Sequence, residues 1–158
     1  MNKKELGLLV IESEQTLYRI SKSILKKDVD CEDAAQEAVA IAFSKLHTLK
    51  SDGYAKTWLV RILINECYRL LKKQKKYVFL GENADTDIAY DQNVYSDLYM
   101  AITALEVNHR IIIVLYYIEG FSVAEIAQIL KIPSGTAKSR LSRARGQLKQ
   151  HLTENEDM

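Results

Sequence analysis

Apolar residues near the start of the chain, Leu6, Leu9, Val10, Leu17, Ile20 and Ile24, recur at the spacing of one helix face. The pattern predicts a helix over 4–26. A second helix, over 31–48, is expected to open at Asp30 as N-cap with Asp33 in its first turn. A third, over 53–76, gathers Leu59, Ile62, Leu63, Cys67, Leu70 and Leu71 on one stripe. Further helices are expected at 95–106, 109–119, 122–130 and 134–151. The run Ile111–Ile118 is β-branched enough for a buried strand. It follows a helical segment without intervening turn residues, however, and ends at Glu119-Gly120, a helix stop, so it is read as a buried helix. The expected fold class is all-α.

The C-terminal pair of helices has the stronger local signals. Ser122-Val-Ala-Glu125 is a capping box: the Ser122 hydroxyl can accept from the Glu125 amide while the Glu125 carboxylate reaches back to the Ser122 amide. The helix it starts carries Val123, Ile126, Ala127 and Leu130 on one face and is cut short by Lys131-Ile132-Pro133. Ser134 is expected to cap the next helix, in which Ala137, Leu141, Ala144 and Leu148 share the core side. Two helices joined by a tight turn, with small Ala127 at the crossing, predict a helix-turn-helix that places its second helix in the major groove of duplex DNA. The opposite side of that helix presents Lys138, Ser139, Ser142 and Arg143, suited to base edges. Thr136, Arg140, Arg145 and Lys149 are assigned to phosphates. The plainer alternative is a solvated basic face on a surface helix.

The third helix has a different outward side. Arg61, Asn65, Tyr68 and Lys72 lie there, flanked by Trp58 and Arg69, so aromatic, amide and basic groups alternate. Duplex readers need no exposed rings, whereas unpaired bases stack on rings while cations follow the phosphates. The pattern therefore points to a melted strand, against the alternative that Trp58 is core and Tyr68 an ordinary half-buried ring. Glu66 falls on the apolar side and requires a basic partner.

Composition narrows the function classes. With 158 residues, 47% hydrophobic content, 27% charged, six glycines and one proline, the chain has cores to build and few turn-makers. Its net charge of +1 argues against nucleic acid until the distribution is read. No acidic residue falls between Ile126 and Thr153, and Arg69-Leu-Leu-Lys-Lys-Gln-Lys-Lys76 is a second basic block. From Tyr77 to His109 there is no Lys or Arg, and Glu82, Asp85, Asp87, Asp91 and Asp97 sit among weak helix formers. This predicts two helical domains, 1–78 and 96–158, joined by a flexible acidic linker at 79–95. Cys31 and Cys67 are isolated, without metal-ligand spacing, and are read as reduced thiols. The N-terminal segment, broken by Glu12 and Glu14, has neither a signal-peptide core nor a membrane span, so a cytoplasmic protein is expected. No Walker-type loop, catalytic triad or metal cluster is apparent, and neither enzymatic activity nor a cofactor is expected.

Three segments carry a family resemblance: Asp30-Cys-Glu-Asp-Ala-Ala-Gln-Glu37, Thr57-Trp-Leu-Val-Arg-Ile-Leu-Ile-Asn65, and Ile132-Pro-Ser-Gly-Thr-Ala-Lys-Ser-Arg-Leu-Ser-Arg-Ala-Arg145. In this order and spacing they resemble a bacterial RNA polymerase sigma factor of the extracytoplasmic-function (ECF) group of the sigma-70 family. The resemblance covers nearly the whole chain. It implies that 1–78 corresponds to region 2, binding core RNA polymerase and the −10 element, and 96–158 to region 4, binding the −35 element. Asp33, Gln36 and Glu37 would then contact the polymerase clamp helices. The segment Leu49–Lys56 matches the loop that captures a flipped −10 base. Tyr54, Lys56, Trp58, Arg61, Asn65, Tyr68 and Lys72 would face the unwound −10 strand. Lys138, Ser139, Ser142 and Arg143 match the base-reading positions of region 4, the same residues that helical periodicity turns outward.

The resemblance further implies promoter DNA as ligand, a role in a stress or envelope response, and an anti-sigma factor as partner. In many relatives that partner is membrane-anchored and would hold the protein at the membrane. The chain departs from the family at three positions: Ala55 stands where many relatives have Phe, with Tyr54 beside it; Val107 stands where proline is usual; and Ser142 replaces a larger side chain found in some relatives. A dimeric helix-turn-helix regulator would need a dimerisation helix and a sensor domain, which the chain does not display. A nucleic-acid enzyme would need a catalytic cluster, yet the carboxylates sit mostly in the linker. A protein-interaction module with incidental basic faces would leave Lys138 and Arg143 without effect on DNA binding.

Overall fold

The computed structural model describes residues 1–79 and 96–156; the expected linker, from residue 80 onward, lies outside the described residues. The chain divides into two compact units, Met1–Asp87 and Ile88–Met158. Both are built from helices, with no strand among the described residues.

The first unit contains α1 (Lys3–Glu12), α2 (Glu14–Leu25), α3 (Asp28–Ser44) and α4 (Ala55–Phe79). Asn2 opens α1 with a capping box: Asn2 Oδ1 accepts from the Glu5 amide at 2.8 Å and Glu5 Oε2 from the Asn2 amide at 2.9 Å. The single helix expected over 4–26 is two helices, separated at buried Ser13, where φ is −95° and ψ 5°. Hydrogen bonds run on through the break, from Ser13 N to Leu9 O and from Leu17 N to Ser13 O, both 2.9 Å. The apolar periodicity therefore survives a kink that periodicity alone does not reveal.

Asp30 is not the N-cap of the next helix. That place belongs to Lys27, which makes no side-chain cap bond, and Asp28 and Asp30 sit in the first turn, where the helix dipole favours carboxylates. Each carboxylate is used in tertiary contacts. Asp28 accepts from Lys22 Nζ at 2.7 Å and Tyr18 Oη at 2.9 Å, and these bonds hold its pKa below the usual carboxylate range. Asp30 accepts from Gln74 Nε2 at 2.7 Å, tying the start of α3 to the far part of α4. The helix ends at Ser44 rather than 48, and Leu46–Thr48 forms a separate 3-10 turn.

Helices α2, α3 and α4 pack against one another in all three pairings. Ile20, Ile24, Leu59, Leu63 and Ile64 fill the interior, and Ala34, Ala38 and Ala42 give α3 a smooth side that admits its neighbours closely. Glu66, on the half-buried edge of α4, has its basic partner in Arg69, Oε2 to Nε at 2.9 Å. Cys31 and Cys67 are free and buried; burial pushes the Cys67 thiol up to about 12.

The second unit contains α5 (Ser96–Thr103), α6 (Val107–Ile113), α7 (Val123–Leu130) and α8 (Ser134–Glu156). The Ile111–Ile118 run is helical, as expected over the strand alternative, but only Ile111–Leu115 is buried; Tyr116, Tyr117 and Ile118 are exposed. It finishes in a π-turn over Val114–Ile118, closed by Glu119 N to Val114 O at 2.9 Å, and Gly120 then leaves at φ +75°. Val107 is the first residue of α6, where a proline is readily accommodated because that N–H needs no intrahelical acceptor. Arg110 of α6 is buried, and its guanidinium donates to Leu105 O at 2.8 Å and Thr103 O at 3.4 Å, carbonyls just beyond and at the end of α5.

Arg110→Met should retain the packed stem and leave those carbonyls without this donor. The expected cost is about 1–3 kcal/mol, read as a lowered thermal midpoint for the second unit. An unchanged melting profile would mean that water substitutes for the guanidinium.

Candidate nucleic-acid interface

The helix-turn-helix is formed by α7 and α8. The Ser122 capping box is present, with Ser122 Oγ accepting from Glu125 N at 3.1 Å and Glu125 Oε1 from Ser122 N at 3.0 Å. Lys131 ends α7 in the left-handed region (φ 55°, ψ 47°), and Ile132 N reaches back to Ala127 O at 3.0 Å, closing the turn. Two local expectations need correction. Ser134 is not the cap of α8 but its first residue: Ala137 N already bonds to Pro133 O at 3.0 Å. The apolar face of α7 is centred on Ile126 and Ile129, both buried, with Val123 and Leu130 only half-buried.

Helix α8 packs on α5, α6 and α7. Ala137, Leu141 and Ala144 are buried and Leu148 is half-buried, as the expected core stripe requires. With that side occupied, Lys138, Ser139, Ser142 and Arg143 are all exposed. Arg143 folds back weakly, Nε to Ser139 O at 3.4 Å. Arg145 and Lys149 are exposed as well, while Thr136 and Arg140 are half-buried at the edge of the packed side. Arg145 has its guanidinium carbon 5.8 Å from the centroid of the Tyr117 ring. Tyr117 was not among the residues singled out from the sequence, although the Tyr116-Tyr117 pair before Gly120 was its visible signal.

In the first unit, α4 buries Leu59, Val60, Leu63, Ile64 and Cys67. This stripe is displaced from the expected one, since Val60 and Ile64 are fully inside while Ile62, Leu70 and Leu71 are half-buried. Asn65 and Lys72 are exposed and Trp58, Arg61 and Tyr68 half-buried, so two rings, two cations and an amide fall outside the buried stripe. The α4 approach is a 3-10 turn, Asp52–Tyr54, in which Lys56 just beyond is exposed and Tyr54 is 56% exposed. Ala55 is only 2% exposed, so the ring offered at this loop belongs to Tyr54. The Met1 amino group lies 2.8 Å from Asp52 Oδ1 in the same turn.

Asp33, Gln36 and Glu37 are all exposed on α3, on one side by their spacing. Gln36 also lines a groove of about 570 Å³ bounded by α1, α2 and α3, with Val10, Leu17, Ala35 and Val39 supplying apolar surface and Glu32 an acidic edge. Among the described residues, no group of His, Cys, Asp and Glu is arranged to hold a metal ion, and no helix is long and apolar enough to cross a membrane.

Comparison with known proteins gives this arrangement a class. Residues 9–77 match the model of Sigma-70 region 2, and residues 95–148 match Sigma-70, region 4. The ECF RNA polymerase sigma factor SigW of Bacillus subtilis is 32% identical over 154 residues, an alignment covering 86% of this chain and 82% of that protein. RNA polymerase sigma factor SigV of the same organism is 27% identical over 150 residues, covering 93% and 90%. Among solved structures, the sigma factor RpoE from Bartonella quintana, crystallised with the anti-sigma factor NepR, superimposes with a TM-score of 0.80 at 28% identity, over 95% of this chain and 98% of that one. The chain belongs to the ECF group of RNA polymerase sigma factors, and so to the transcription initiation factors.

The α7 cap is testable without DNA. Ser122→Ala should lower the stability of the second unit by about 0.5–2 kcal/mol, measured by denaturant unfolding, with Ser122→Asp restoring most of it. Equal stability of all three proteins would show that solvent satisfies the α7 amides unaided.

Proposed function

We propose that this sigma factor docks on core RNA polymerase through Asp33, Gln36 and Glu37 on α3, reads the −35 element with α8, and traps the unwound −10 strand along α4. The observation that carries the reading is the outward side of α8. A capped helix-turn-helix leaves Lys138, Ser139, Ser142 and Arg143 exposed together, within a chain of the sigma family. Thr136, Arg140, Arg145 and Lys149 hold the phosphates on either flank. In the first unit, Tyr54 and Lys56 belong to the base-capturing loop, and Trp58, Arg61, Asn65, Tyr68 and Lys72 line the strand. The two domains span 1–78 and 96–158 in this proposal, with 79–95 as linker.

Promoter opening needs no bond-making by the sigma factor, and we assign it no enzymatic activity or cofactor. Contacts to unpaired, flipped bases exist only after melting, so their free energy shifts the closed–open equilibrium toward the open state. Regulation follows from the same surfaces. The RpoE relative is held by an anti-sigma factor, and a partner of that kind, covering the polymerase- or DNA-binding residues, would keep this chain silent in the cytoplasm, or at the membrane when the partner is anchored there, until an envelope or other stress releases it.

Run-off transcription on a genomic library, with core polymerase and with or without the protein, should yield new start sites that define the −35 and −10 sequences. The reading fails if no new starts appear and the protein does not co-purify with core enzyme. On a mapped promoter, Lys138→Ala and Arg143→Ala should each weaken binding by about 1–3 kcal/mol and relax discrimination in the −35 element. Tyr54→Ala should leave −35 discrimination intact and lower open-complex occupancy by a stacking increment of about 1–3 kcal/mol, monitored by permanganate reactivity of unpaired thymines.

A further inference from the structure

Tyr117 is not among the proposed promoter contacts, yet it meets Arg145 of α8. Tyr117 is 52% exposed, so it adds little to the core. It stands in the π-turn that ends α6, where the extra residue per turn alters how successive side chains leave the helix. Its neighbour Tyr116 meets it edge-on, with centroids 4.9 Å apart and planes at 81°, which favours one orientation of the Tyr117 ring. Arg145, from α8, places its guanidinium carbon over that ring at 5.8 Å.

We propose that Tyr117 is a positioning residue for DNA binding, holding the Arg145 guanidinium at the edge of α8 ready for a backbone phosphate. The inference rests on the reading that α8 enters duplex DNA. A carboxylate could hold the arginine equally well, but it would neutralise the charge and occupy the donors that a phosphate requires. An aromatic face attracts the cation and leaves its full charge available. The arginine thereby surrenders part of its side-chain freedom before DNA arrives, and the loss is not charged against binding. Lys138, Ser142 and Lys149 lie on the same flank of α8 as Arg145, at intervals of three, four or seven residues, so the parked charge continues a line of exposed phosphate and base contacts.

The test uses the chain assembled on core polymerase and a promoter fragment with a mapped start site, with closed-complex affinity measured at low temperature over a salt series. Tyr117→Leu should weaken binding about two- to fivefold, the size of an exposed cation–π contact, without changing the salt slope, because the arginine charge is still present. Tyr117→Phe should bind like the unaltered protein. Arg145→Ala should reduce the slope by about 0.9, one phosphate contact, and in that background Tyr117→Leu should have no further effect. The proposal is overturned if Tyr117→Leu is silent in the unaltered background. It is equally overturned if Tyr117→Phe is as weak as Tyr117→Leu, which would make the hydroxyl the active group. Persistence of the Tyr117→Leu effect beside Arg145→Ala would also sink it, since the ring would then act through the fold. Failure of the underlying α8 reading looks different: Lys138→Ala and Arg143→Ala would bind as tightly as the unaltered protein.

Discussion

Each unit depends on one helix being gripped along a single side by all its large neighbours. In the first unit that helix is α4, whose Leu59–Cys67 stripe is buried against α2 and α3. In the second it is α8, held through Ala137, Leu141 and Ala144 by α5, α6 and α7. The same constraint produces the candidate interface. A helix committed to the core over part of its circumference has only the remaining arc to offer, and its rotation about its own axis is set by burial. The exposed side chains are consequently delivered in a fixed register, which a base-reading surface requires.

The two gripped helices offer different chemistry on their free arcs. That of α8 carries cations and small hydroxyl residues, which fit between the edges of stacked base pairs. That of α4 adds Trp58 and Tyr68, both half-buried, and partly exposed rings are groups on which unpaired bases can stack. The Glu66–Arg69 pair belongs to the same economy: the carboxylate that falls near the apolar edge is matched locally, one turn along, and needs no partner from another helix. Buried Arg110 plays a comparable part in the second unit, donating to the carbonyls of Thr103, at the end of α5, and Leu105, just beyond it.

Helix existence, the helix-turn-helix and the outward residues of α8 were legible in the sequence because they follow from local rules. Periodicity places Ala137, Leu141 and Ala144 opposite Lys138, Ser139, Ser142 and Arg143 whatever the rest of the chain does, and Ser122-Val-Ala-Glu125 satisfies its own amides. The all-α class follows similarly from composition and spacing. Less was legible at helix ends. Asp30 has the residue type of an N-cap but is drawn into the first turn, with its carboxylate paired to Gln74, 44 residues away in sequence. Ser134 loses its expected capping role to the Pro133 carbonyl, and Ser13 interrupts a helix whose apolar pattern is unbroken.

What the sequence determined by itself was therefore the set of helices and the side of α8 left free, since both depend on neighbours within a turn or two. Tertiary structure alone decided which of several apolar stripes goes deepest: Val60 and Ile64 rather than Ile62 on α4, Ile129 rather than Leu130 on α7. It also decided that Ala55 is enclosed while Tyr54 is presented, and that Arg145 meets the Tyr117 ring. These outcomes depend on where a second helix lies and how closely it approaches, and one helix's periodicity contains no information about the position of another.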